Sequence, residues 1–357
     1  MILQSSVRRA SRSLLVLLMV GTIISTIILG AGIGALDVPS KQVFDILIKP
    51  FGLVLFGAPV DELREAVVLQ IRLPRVFLGL IVGAGLGISG ALMQGVFRNP
   101  LADPGLIGVS SGAALAASLY IVLGDRLANI FGQWLTLVAT PFCAFTGALT
   151  VTYIVWRMGT VGNRISVSRL LLAGIAINAL VGAVIGGLTL VATDSELRDL
   201  TFWSLGSLNG ATWQTVITAT LGILPVILIA PRLSKSLDVW LLGEAEAHHL
   251  GVNVQNLKRL AVGTTALAVG AAVAAAGIIG FIGLVIPHLV RLTLGPGHRY
   301  LLPGSAMLGA VLLVVADLIA RTIIAPIEVP IGIITALSGA PFFLFLLHHS
   351  KDGEFSI

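Results

Sequence analysis

Apolar runs dominate this chain, and their length is the first clue to its fold. A bilayer crossing takes about 20 mostly apolar residues. Read against that length, the sequence offers ten stretches, at 14–34, 76–97, 106–124, 134–156, 169–192, 212–230, 260–277, 279–294, 304–324 and 331–347. The pattern predicts an all-α polytopic membrane protein with about ten transmembrane helices in a single domain over 1–357. Gly277, Gly280, Gly283 and Pro287 interrupt the seventh and eighth stretches. Broken helices are tolerated only where protein or a cavity satisfies the freed backbone, so these two are expected inside the bundle. The connections 37–71 and 194–211 are long enough for short interfacial helices. Another connection, Gly243 to Asn253, is polar and helix-like between two apolar runs. A polar helix in that position is open to water and to a partner.

Small residues suggest how the helices pack. Gly79, Gly83 and Gly87 repeat every four residues in the second stretch, and Gly182 and Gly186 do so in the fifth. Both repeats predict flat faces that let backbones approach closely.

Composition sharpens the class. The chain is 56% hydrophobic and 11% charged, with mean hydropathy +1.01. Soluble domains carry roughly 25% charged residues, so lipid is the expected solvent. The net charge of +5 comes from residues scattered among loops, with no basic stripe, and nucleic acid is not expected as a partner. With an even number of crossings and a cytoplasmic N-terminus, 14 of the 22 lysines and arginines fall inside, which fits the positive-inside rule with both termini cytoplasmic. Arg8, Arg9 and Arg12 precede a first stretch too long for a signal-peptide core, so a retained helix is expected. Cys143 is read as a small buried hydrophobe, and Trp203 and Trp213 as boundary anchors.

Several chemistries are missing. The sequence has no Gly-Lys pair and hence no phosphate-cradling loop for ATP. It contains no His-Glu-x-x-His, and no catalytic residue and no metal site are expected. All six histidines fall on the inner side of this topology; His248-His249 and His348-His349 are read as solvated or interfacial. Asp317 lies deep in a span, and Arg321, four residues on, is its expected ion partner. So few buried ionisable groups argue against an ion-coupled secondary transporter, which remains the alternative from a different class. A membrane-embedded enzyme would need paired carboxylates or histidines at depth.

The ordered motifs Arg72-Leu73-Pro74-Arg75, Gly90-Ala91-Leu92-Met93-Gln94, Asn99 to Gly105, Gly243 to Asn253, Gly280 to His288, Pro330-Ile331-Gly332 and Gly339-Ala340-Pro341 resemble the iron-siderophore, haem and vitamin B12 permeases of bacterial ABC importers. The resemblance implies a type II importer fold of ten helices in the inner membrane. It implies as partners a second copy, two ATPase subunits and a periplasmic binding protein. No cofactor is held permanently, and ATP is used by the partner subunit. It assigns ATPase coupling to segment 241–257, through Gly243, Glu244, Glu246, His248, Leu250, Gly251 and Val252. It assigns binding-protein docking to Arg72, Arg75 and Arg321, whose planar forks suit carboxylates. The fifth helix and the segment after it would regate the pathway, with Asn178, Thr189, Thr193 and Ser195 as lining candidates. Arg98 to Leu115 and Asp194 to Trp213 look most like the haem permeases; a ferric siderophore or vitamin B12 is the alternative cargo.

Overall fold

The computed structural model describes residues 18–349 apart from 35, 58–59, 132–135 and 163. The basic residues Arg8, Arg9, Arg12 and Lys351 lie outside the described residues. Apolar helices account for almost everything else. α1 is Leu18–Gly32. Two short helices follow in the first long connection, α2 (Ser40–Ile48) and α3 (Glu62–Ala66). α3 runs through a wider π-helical turn, Val67–Arg72, into α4 (Leu73–Phe97). α5 (Val109–Phe131) and α6 (Thr136–Gly159) come next. A two-strand hairpin, β1 (Thr160–Val161) and β2 (Arg164–Ile165), leads to α7 (Val167–Thr189). α8 (Asp194–Ser204) occupies the second long connection. The chain closes with α9 (Trp213–Trp240), α10 (Glu244–His249), α11 (Val254–Ala276), α12 (Ile282–Leu294), α13 (His298–Thr322) and α14 (Ile331–His349). Among the described residues, six helices are long and apolar enough to cross a membrane, and α1, α5, α12 and α14 contribute shorter apolar helices. Each of the ten predicted stretches has its helix.

α4 is the centre of the bundle. Its apolar stretch is 83% buried, and α13, α12, α9 and α11 all pack on it. The glycine spacing explains how. A Cβ on Gly83 would stand 2.2 Å from the carbonyl oxygen of Gly309, and one on Gly87 would stand 2.2 Å from that of Ser305. The two helices meet backbone to backbone, which only glycine permits. Gly90 does the same for α12, against the carbonyl of Gly283.

α7 lies at the other extreme. Its apolar stretch is only 22% buried, and Leu172, Ile175, Leu180 and Val184 are exposed. A Cβ on Gly182 or Gly186 would meet nothing within 4 Å. Among the described residues, nothing packs closely on the face expected there.

Several helix limits differ from the sequence reading, and two of the shifts follow directly from burial. α9 passes Pro231 and runs ten residues beyond the expected end. A proline removes one backbone donor, and burial of Leu233, Leu237 and Trp240 on one face stabilises the extension. α13 begins six residues early because His298 is buried against Asp238. Between α11 and α12 the chain is non-helical over residues 277–281, with Gly277 and Phe281 at positive φ. The freed carbonyl of Ala276 accepts from Ser207 N–H at 2.8 Å, so the break is satisfied inside the protein. Cys143 is half-buried rather than enclosed.

Candidate coupling and docking sites

Polar side chains gather at the two ends of α4, which 25 residues place about 37 Å apart. The first site is α10. Gly243 begins it at φ +122° and Gly251 ends it at φ +78°, backbone conformations that suit glycine. A Cβ on Gly243 would also stand 2.5 Å from the Glu246 carboxylate. Between the glycines, Ala247 is fully buried and pins the helix to the bundle, and its carbonyl accepts from Val252 N–H at 2.9 Å. Val252 packs against the main core. Everything else faces out: Glu244, Ala245, Glu246, His248, His249 and Leu250 are exposed. Acids in the first turn and histidines in the last complement the helix dipole. The result is a short, rigid, exposed knob on one apolar root.

Glu244 is less free than the sequence suggested. Its carboxylate lies 3.9 Å from Lys258 Nζ and 3.5 Å from Gln255 Nε2, both on α11. Lys258 is only 3% exposed and donates to the carbonyl of Ile165 at 3.2 Å. Its ammonium sits 4.5 Å from the centre of the Trp240 ring, and the Arg98 guanidinium sits 4.7 Å from the same ring. Trp240 in turn donates to the carbonyl of Val96 at 3.0 Å. The ends of α4 and α9, the start of α11 and the root of α10 thus share one polar knot. Nothing in the hydrophobic pattern marks Trp240 or Gln255, and Lys258 resembles a routine boundary lysine.

The second site holds the three arginines at the far end of α4. Arg72 is 5% exposed and donates to the carbonyls of Ala31 and Gly32, which end α1, and of Leu36 just beyond it. Arg75 is 8% exposed; its Nε and Nη2 donate to Asp317 at 3.0 and 2.9 Å, and its Nη1 donates to Glu328 at 2.9 Å. Arg321 donates to the Gly30 carbonyl, while its Nε lies 3.7 Å from Asp317. The expected Asp317–Arg321 pair is present at 3.7 Å, but it is the weaker contact: Arg75, from another helix, holds the same carboxylate bidentately. Nor do the three guanidiniums point outward as free forks. They tie α1, α4, α13 and the segment before α14 together. Asp317 is 1% exposed. Removing one member of such a buried pair costs about 3–5 kcal/mol, because it strands the other charge. Glu328 was missed in the sequence; its side chain, 38% exposed, is the outermost member.

The lining candidates do not form one group. Asn178 lies mid-α7 and donates to the Gly105 carbonyl at 3.2 Å while pairing with Ser111 Oγ. It stitches α7 to the start of α5. Thr189 bonds back to the Gly186 carbonyl at 2.7 Å. Thr193 caps α8 in a reciprocal capping box with Glu196, and Ser195 lies 3.1 Å from the Thr193 hydroxyl. Thr189, Thr193 and Ser195 cluster near the α7–α8 junction, about 16 Å along the helix from Asn178. A cleft of about 650 Å³ opens nearby, lined by Asp199, Trp203, Ser207, Asn209, Gly277 and Glu328. It abuts the break between α11 and α12 and the outer member of the arginine cluster.

Known proteins resemble this chain in sequence and in fold. The model of the FecCD transport family matches residues 17–349. The hemin transport system permease protein of Yersinia pestis is 46% identical over 298 residues, covering 84% of this chain and 88% of its own length. The cobalamin import system permease protein of Halobacterium salinarum is 44% identical over 296 residues, covering 82% and 75%. The inward-facing structure of a transporter assigned to the metal-chelate ABC type superposes with a TM-score of 0.79 at 30% identity, covering 93% of this chain and 98% of that one. The chain belongs to the FecCD transport family: it is a multi-pass, non-catalytic permease subunit of an ABC importer, and ATP hydrolysis resides on a separate subunit.

Proposed function

We propose that this permease imports haem or a related iron chelate from periplasm to cytoplasm by alternating access. It works as two copies above two ATPase subunits, receives cargo from a periplasmic binding protein, and keeps both termini in the cytoplasm. The observation that carries the reading is α10, an exposed knob set between two positive-φ glycines and fastened by one buried alanine. Such a part suits a cleft on a moving partner. Closure of the ATPase pair on ATP displaces Glu246, His248 and Leu250 together with their helix. Motion then reaches α7 and α8, where Asn178, Thr189, Thr193 and Ser195 regate the pathway. The sparse packing of α7 within its own chain supports its role as the moving element, since few intrachain contacts must break.

At the other end, docking works by exchange. An acidic residue of the binding protein takes the place of Glu328 on Arg75 Nη1, while Arg72 and Arg321 hold the platform through α1. Charge pairs of this kind set register and on-rate more than affinity.

Haem is favoured by the likeness to the hemin permease over most of both chains. The test is uptake into vesicles holding the permease, its ATPase and its binding protein, with haem, a ferric siderophore and cobalamin offered separately. ATP-dependent accumulation of haem is the expected result. Accumulation of cobalamin alone would reassign the cargo within the same mechanism.

A further inference from the structure

Ile165 ends β2 and stands one residue before Ser166, the N-cap of α7. Both of its backbone groups are held by side chains from α11. Its N–H donates to Gln255 Oε1 at 2.8 Å, and its carbonyl accepts from Lys258 Nζ at 3.2 Å. Gln255 and Lys258 are three residues apart and so share one helix face. The same two side chains reach Glu244, the first residue of α10, at 3.5 and 3.9 Å. Ile165 is itself 4% exposed, and its strand is tied back to the end of α6 by the Thr160–Ile165 pairing and by the Ser166 N–H bond to the Gly159 carbonyl at 3.0 Å.

A contact between two flexible side chains can slide. A clamp on the N–H and the C=O of one residue leaves its peptide planes little freedom, and the next residue starts a helix. We propose that Gln255 and Lys258 are positioning residues that carry displacement of α10 into the first turn of α7. The three parts differ in the way such a relay needs. α10 is the exposed lever. α11 is 67% buried and forms the fulcrum. α7, at 22%, is the long apolar helix least held by its own chain. Trp240 holds Lys258 from the side, so the ammonium stays aligned between the Glu244 carboxylate and the Ile165 carbonyl. This inference rests on the reading of α10 as the coupling knob, and its test separates the two.

The experiment uses the permease dimer assembled with its ATPase in lipid, with a spin label at Leu190, which is 87% exposed near the end of α7. The distance between the two labels is measured without nucleotide and with a non-hydrolysable ATP analogue. ATP consumed per cargo imported is measured in vesicles. The wild type shifts its label distance on nucleotide. The Lys258→Met/Gln255→Leu variant hydrolyses ATP but shows no shift, and cargo moved per ATP falls at least about fivefold, the low end of usual coupling factors. Lys258→Arg, which keeps the donor, restores most of both. Gln255→Leu alone, at a half-buried position, gives an intermediate loss and covers the case in which the double variant does not fold. If either variant shifts and imports like wild type, the clamp is wrong, even if its melting temperature drops. If the wild type itself shows no shift, the coupling role of α10 fails and the clamp falls with it.

Discussion

α4 and α7 carry the same four-residue glycine spacing and use it in opposite ways. In α4 the space beside Gly83 and Gly87 is filled by the backbone of α13, 2.2 Å from a hypothetical Cβ at each. In α7 the same hypothetical atoms at Gly182 and Gly186 touch nothing. One helix is the fixed axis of the bundle; the other lies on its surface, held by Asn178 and by the hairpin at its start. A glycine repeat therefore predicts a face that can be approached closely, without saying whether this chain supplies the neighbour. In the proposed dimer, the second copy is the neighbour that would fill the α7 face.

The largest effect should come from attacking the fixed side. Gly83→Leu forces α4 and α13 apart, and overpacking of this severity costs about 3 kcal/mol or more; thermal unfolding in detergent should show a large drop or no folded protein. Asp317→Asn comes next. It leaves Arg75 with Glu328 as its one remaining acid and Arg321 without its 3.7 Å partner, for a loss of about 3–5 kcal/mol. The effect should be read in the same unfolding assay and should be concentrated where α1 meets α4 and α13. A stable Asp317→Asn protein would mean that the arginine cluster is not what closes this end. Gly186→Ala should be nearly silent in the isolated chain, within about 0.5 kcal/mol as for surface positions. Its effect should appear instead in dimer association and uptake. Equal destabilisation by the Gly83 and Gly186 substitutions would erase the contrast between the two helices.

The sequence made the frame readable and hid the wiring. Apolar length marks every helix of the bundle, the glycine spacing marks the α4 seam, and Gly243 and Gly251 bracket α10 where expected. Those signals are local, and each is carried by a few neighbouring residues. The ion pairs are not local. Asp317 has a plausible partner four residues away, yet its bidentate partner is Arg75, 242 residues distant. Lys258, Gln255 and Trp240 acquire roles only when α9, α10, α11 and the hairpin are brought together. The C-terminal end of α9 was hidden because Pro231 and the charges after it read as a stop, while burial of Leu237 and Trp240 outweighs one missing backbone bond.

The account as a whole rests on energy entering from a separate motor through α10. Uptake by sealed vesicles tests this most directly, with three preparations compared: the permease alone under an ion gradient, the permease with its ATPase and binding protein plus ATP, and that complete system with residues 244–250 deleted from the permease. Uphill accumulation is predicted only in the second, with ATP hydrolysis surviving in the third while uptake is lost. Accumulation by the permease alone, or undiminished uptake after α10 is removed, would contradict it.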